Sequence, residues 1–190
     1  MRVSVRKLAV MAVLTAIALI VFVIESQIPV PLPVPGAKLG LANAVTLFAL
    51  FYDNGKGRGV DKERGAERSK GRDAEKLTVA NVLMILICRI ILGAAFSGRI
   101  IALIYSISGG MLSFTVQAVM KRFITHKQIW ACGAAGAVFH NIGQIIAAML
   151  VTGTSAIAAY LPVLTIVGVI TGIITGLIAQ FTIERLRLQR

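Results

Sequence analysis

Residues 77–120 read LTVANVLMILICRIILGAAFSGRIIALIYSISGGMLSFTVQAVM, two apolar runs separated by a short SGR turn, with no acidic residue and two basic ones, Arg89 and Arg99. A continuous run of about 20 apolar residues matches the thickness of a bilayer's hydrocarbon core. The runs show no strand-like alternation, and in lipid every backbone group must be satisfied inside its own segment, so helices are expected rather than a barrel. The rest of the chain follows the same pattern. Outside residues 53–76 there are two carboxylates, Glu25 and Glu184, in 190 residues that are 57% hydrophobic with a mean hydropathy of +0.84. The composition therefore predicts an all-α polytopic membrane bundle occupying residues 1–190 as one domain.

Six segments carry the pattern: 8–24, 39–52, 77–96, 100–120, 129–151 and 156–183. The second is short for a crossing. The sixth is long, and Pro162 near its start suggests an interfacial entry or a kink, with the span proper following it. The first has a basic leader, MRVSVRK, but no small-x-small cleavage site before Glu25, so it reads as a retained helix. Placing the N-terminus in the cytoplasm puts 17 of the 20 Lys and Arg residues on that side. Lys38 and Arg99 then fall outside and Arg89 within the membrane. This asymmetry predicts six transmembrane helices with both termini cytoplasmic.

The formal charge of +12 would suggest nucleic acid in a soluble protein, but here the basic residues flank apolar segments and act as topology signals, so no nucleic-acid partner is expected. Residues 53–76, DNGKGRGVDKERGAERSKGRDAEK, hold eight basic and six acidic residues with almost nothing apolar, a composition that predicts a mobile, disordered cytoplasmic linker. Cys88 and Cys132 lie inside apolar segments and read as small buried hydrophobes rather than a disulfide or metal ligands. No metal site and no cofactor is expected. Nor is a catalytic residue, since acid-base or metal chemistry would find no clustered carboxylates to use.

The polar residues inside the apolar segments are the candidate site. Arg89 pays at least about 2.5 kcal/mol to sit in the membrane by insertion scales, so it must face the bundle interior, pairing with Glu25 or backbone carbonyls or awaiting an anionic ligand. GAAGAVFHNIGQ (133–144) places His140 and Gln144 on one helical face with Asn141 beside them. With Gly136 and Gly143 close by, they read as a cavity wall. SISGGMLS (106–113) adds Ser106, Ser108 and Ser113 around Gly109 and Gly110. IPVPLPVPGAKLGLAN (28–43), extended by alternating prolines, is expected to form an outer rim presenting Lys38 and Asn43. Two stripes of small residues four apart, Ala12 with Ala16 and Gly168 with Gly172 and Gly176, specify close helix contact. Spacing alone leaves open whether that contact is within the chain or with a partner helix.

Taken together and in order, PGAKLGLAN, the intramembrane Arg89, SISGGMLS, GAVFHNIGQ, the YLP around Pro162 and the terminal glycine stripe resemble one bacterial family. It is labelled both Gx transporter and heptaprenyl diphosphate synthase component I. The similarity covers nearly the whole chain except residues 53–76, which look like an insertion. The first label implies likeness to the substrate-binding S components of energy-coupling-factor uptake systems. Such subunits are six-helix proteins of the cytoplasmic (inner) membrane that capture a vitamin-like molecule from outside and borrow a coupling membrane protein and ATPases. On that likeness Ala12 and Ala16 would dock the partner. This chain has no GxxxxGK[ST] loop of its own. The second label implies a membrane subunit of polyprenyl, menaquinone side-chain synthesis working with a soluble prenyl synthase subunit. That reaction needs Mg²⁺ on aspartate-rich motifs. The aspartates here, Asp53, Asp61 and Asp73, all lie in the charged loop.

Overall fold

In the computed structural model residues 5–27, 40–52, 77–98 and 100–188 are described. All regular structure among them is helical: α1 (Val5–Gln27), α2 (Asn43–Phe51), α3 (Val79–Ser97), α4 (Ile100–Met120), α5 (Ile129–Thr152) and α6 (Leu161–Leu188), with 3₁₀ turns at His126–Gln128 and Ser155–Tyr160. Five helices, α1 and α3 to α6, are long and apolar enough to cross a membrane, the last counted together with the 3₁₀ turn before it. The chain is a multi-pass membrane protein by this measure. Pro162 falls in the first turn of α6, directly after the Ser155–Tyr160 turn, where its missing N–H leaves no bond unmade.

Each long helix splits into a lipid face and a packed face. Along α1, Met11, Leu14, Ala18, Phe22 and Glu25 are buried at helical spacing, while Val13, Ile17, Ile20 and Ile24 are exposed. On α6, Val163, Ile166, Ile170, Ile174, Ile178 and Phe181 form an exposed apolar stripe. In water such stripes would drive aggregation, whereas in a bilayer they are what the lipid requires.

The second segment departs from the sequence expectation. In place of a span over 39–52 the chain forms α2, nine residues long, about 13.5 Å at 1.5 Å per residue. Seven of its nine residues are buried, and it packs against α1, α3, α4, α5 and α6. The run is apolar because protein surrounds it, not because it crosses by itself. Non-helical backbone at membrane depth is tolerated where protein buries it. Gly40, with φ 81°, turns the chain into the helix, and Asn43 and Ala44 donate to the carbonyls of Gly40 and Leu41 at 2.9 and 3.0 Å.

α5 is the centre of the other half. Its seam with α6 is built of glycine against glycine: a Cβ on Gly172 would lie 2.6 Å from the Gly133 carbonyl oxygen, and one on Gly176 2.6 Å from the Trp130 Cα. Gly168, Gly172 and Gly176 thus face α5 of the same chain. Ala12 and Ala16, with Ala9, are exposed on the outside of α1. The proline segment with Lys38, the 53–76 loop and Arg99 lie outside the described residues.

Candidate functional site

Arg89 is buried near the middle of α3, 4% exposed. Its Nη2 donates to Asn43 Oδ1 at 3.2 Å, and the guanidinium lies over Gly110, whose Cβ would come within 3.7 Å of Nη2. The buried Nε has no hydrogen-bond partner. Asn43 opens α2, and its Nδ2 reaches Ser113 Oγ on α4 at 3.5 Å.

Glu25 is the countercharge that Arg89 feels, yet the bonds of the two groups go elsewhere. Its Oε1 accepts the backbone N–H groups of Gly40 at 2.5 Å and Leu41 at 3.3 Å, and Oε2 accepts that of Ala42 at 3.5 Å. The carboxylate therefore caps the start of α2, where unpaired N–H groups and the helix dipole favour negative charge. α2 points its N-terminus into the bundle, between Glu25 on one side and Arg89 on the other.

His140 closes the cluster from α5. Gln144 Nε2 lies 2.9 Å from His140 Nε2, and the ring fits between two glycines: a Cβ on Gly109 would lie 2.7 Å from Nδ1 and one on Gly40 2.9 Å from Cδ2. Gly109 and Gly110 thus take His140 and Arg89 on adjacent positions of α4.

The structure brings Arg89, Asn43, His140 and Gln144 to one place, together with Glu25 and Ser113. Other candidates go elsewhere. Asn141 turns toward α6, where Nδ2 donates to the Leu164 carbonyl at 2.7 Å and lies 2.5 Å from where a Gly168 Cβ would be. Neighbouring helix positions are about 100° apart, so adjacent polar residues readily serve different neighbours. Ser106 is half-buried on α4, one turn away from the cluster, and Ser108 Oγ donates to the Gly143 carbonyl at 2.6 Å. Gly136 and Gly143, beside these polar residues, are sites of close packing. Gly143 abuts the backbone of Ser108 and Gly109, and Gly136 abuts the side chain of Gln117.

Gln117 escapes the sequence reading. It is 2% exposed, its carbonyl accepts from Cys132 Sγ at 3.8 Å, and its Oε1 has no partner. The signal that marks it is a lone amide four residues after Ser113 on the same apolar helix.

The cluster is packed shut. Glu25, Asn43, Arg89, Ser113, His140 and Gln144 are each 6% exposed or less. Glu25 and Glu184 are the carboxylates among the described residues, and no group of three or more His, Cys, Asp or Glu comes together there. What this arrangement offers is hydrogen bonding and a buried cation beside the start of α2.

A family model described as heptaprenyl diphosphate synthase component I matches residues 14–58 and 74–182. Every residue of the cluster lies within the matched segments, and the gap between them falls inside the charged 53–76 stretch. No curated protein and no solved structure matches the chain.

Proposed function

The chain belongs to the heptaprenyl diphosphate synthase component I family, and from that premise we propose that it is a non-catalytic membrane subunit that binds a small ligand at the Arg89 cluster. The observation that carries this reading is the half-helix α2, with its N-terminus pointing into the bundle beside a buried arginine whose Nε is unpartnered. Discontinuous helices with such buried N-termini are how membrane carriers meet polar ligand groups. In this reading Arg89 takes an acceptor oxygen, an anionic or carbonyl group. His140 and Gln144 add hydrogen bonds from α5, and Asn43 links them to Arg89. Because the cluster is closed, a ligand enters by displacement of α2.

The same reading casts the chain as the substrate-binding part of an energy-coupling-factor-like uptake system in the cytoplasmic membrane. The exposed Ala12 and Ala16 would meet a coupling membrane protein, and the ATPases would come from elsewhere. The family description favours a second reading, a non-catalytic component I serving a soluble prenyl synthase.

Affinity purification of the tagged chain from its native membrane, with mass spectrometry of accompanying proteins and small molecules, separates the two. Coupling ATPases and a large membrane protein are expected; a soluble aspartate-rich prenyl synthase in their place would move the chain to the second reading. A small molecule retained equally by wild type, Arg89→Gln and His140→Ala would remove the cluster as its site.

A further inference from the structure

Glu25 stands in the last turn of α1 with 3% of its surface exposed, a carboxylate sunk inside a membrane bundle. Its two oxygens accept three consecutive backbone N–H groups, those of Gly40, Leu41 and Ala42, which lead into α2. Successive N–H groups at the start of a helix form a concave site for an anion, and the helix dipole strengthens it. Across that start lies Arg89, whose Nη2 donates at 3.2 Å to Asn43, the first residue of α2. Arg89 is the buried Lys or Arg among the described residues, and its Nε donates to nothing.

Glu25 underuses this site. The N–H groups of Leu41 and Ala42 stand 3.3 and 3.5 Å from its oxygens, long for such bonds, while Arg89 keeps an N–H unbonded. A carboxylate free of the tether to α1 can shift toward Arg89 and meet the backbone donors and Nε together. We propose that the start of α2 and Arg89 form a carboxylate-binding site in which Glu25 is a displaceable resident, so that the ligand is a carboxylate whose head exchanges with Glu25. This inference rests on the reading of the Arg89 cluster as a ligand site. The class follows from shape and charge. Glu25 meets three donors with two coplanar oxygens, and one guanidinium balances one negative charge. Phosphate brings four oxygens and a larger charge, for which the described residues offer no second buried Lys or Arg. Exchange of one carboxylate for another leaves the buried charge unchanged and avoids the cost of burying a new ion. Glu25 is also two residues from the end of α1, where local opening is easiest.

Glu25→Ala removes the part of the side chain that acetate replaces, a methylene group and a carboxylate. This variant, Glu25→Gln and wild type, each as the full chain in detergent, are followed by hydrogen exchange across Asn43–Phe51 in acetate, chloride or phosphate at equal ionic strength. Both variants are expected to exchange at least roughly fivefold faster than wild type there, the effect of one unsatisfied buried donor. Acetate restores most of the lost protection, and chloride and phosphate do not. Wild type does not respond at the same concentration, because the tethered carboxylate outcompetes the free one. Adding Arg89→Gln to Glu25→Ala abolishes the response. Asn141→Ala, weakened at the other seam, shows none, which separates binding from a general salt effect. Glu25→Gln keeps the side-chain volume, so the test stands if the alanine variant does not fold.

No acetate protection in either Glu25 variant, or equal protection in Asn141→Ala, would overturn the proposal and leave Glu25 a fixed cap. So would a response that survives loss of Arg89, and a stronger response to phosphate would overturn the carboxylate class. The reading of the cluster as a ligand site fails on a different result, equal retention of a co-purified molecule by wild type, Arg89→Gln and His140→Ala. A molecule lost from those two variants but lacking a carboxylate would overturn the ligand class alone.

Discussion

The two halves of this bundle are held by different means. On the α4–α5–α6 side, backbone meets backbone: Gly133 against Gly172 and Gly176, Gly143 against Ser108 and Gly109. On the α1–α2–α3 side the contacts run through side chains. Leu47, Leu50 and Leu86 fill the space between helices, Phe22 lies on Gly93, and Glu25 grips the start of α2. In lipid, apolar burial gives helices little reason to associate, and close backbone approach supplies dispersion contacts instead. The glycine half is therefore the scaffold, and the half with α2 is the part that can yield.

The largest expected effect comes from breaking the scaffold. Gly172→Leu places a side chain where the Gly133 carbonyl and the Ala134 Cα already stand, at 2.6 and 2.7 Å from its Cβ. Neither is the end of a flexible side chain, so the helices must separate. We expect a loss of about 3 kcal/mol or more, read as a drop in thermal unfolding temperature and in monodisperse yield in detergent. An unchanged melting temperature would show that the seam does not hold the bundle.

Next in size is the joint on the other side. Glu25→Gln keeps one acceptor oxygen but sets an amide NH₂ against backbone N–H donors and removes the countercharge of Arg89. A buried donor left unsatisfied costs about 1–3 kcal/mol. If the α2 half is the yielding one, hydrogen exchange should rise across Asn43–Phe51 while α5 stays protected. Equal deprotection of both halves would erase the distinction between them.

Much of this architecture is legible in the sequence alone. The helical class and the positions of most segments follow from apolar runs whose ends are marked by charge and glycine. Composition cannot reveal the fate of residues 39–52, because a run buried by protein and a run buried by lipid are made of the same residues. The role of Glu25 is hidden for a related reason: its partners are backbone groups 15 to 17 positions away, brought close by a segment that carries no pairing signal. Four-residue spacing pairs His140 with Gln144 correctly, since i and i+4 share a helix face. Adjacency groups Asn141 with them, but adjacency on a helix says little about direction.

A smaller effect tests the clip that fastens the seam. Asn141→Ala removes the bond to the Leu164 carbonyl but leaves the glycines in contact. Interhelical hydrogen bonds in membranes average about 0.6 kcal/mol and reach about 1.7, so a small downward shift in unfolding temperature is expected. A loss as large as that of Gly172→Leu would mean that the polar clip, not the glycine packing, is what joins α5 to α6.

The smallest effect on stability should come from the outer face of α1, where the same four-residue spacing as on α6 meets opposite surroundings. Gly172 is pressed on its neighbour's backbone, whereas Ala12 and Ala16 are exposed and touch no core that their loss could unmake. Replacing both by leucine adds apolar surface toward lipid and removes a path for close approach by another helix. Exposed changes of this kind stay within about 0.5 kcal/mol, so the melting temperature of the purified chain should not move. If α1 docks a membrane partner through this stripe, the variant should nonetheless lose that partner on purification from the membrane. Loss of partner with unchanged stability separates the two uses of one spacing. A destabilised variant would place the stripe in the fold, and a stable variant that keeps its partner would show that docking takes another surface.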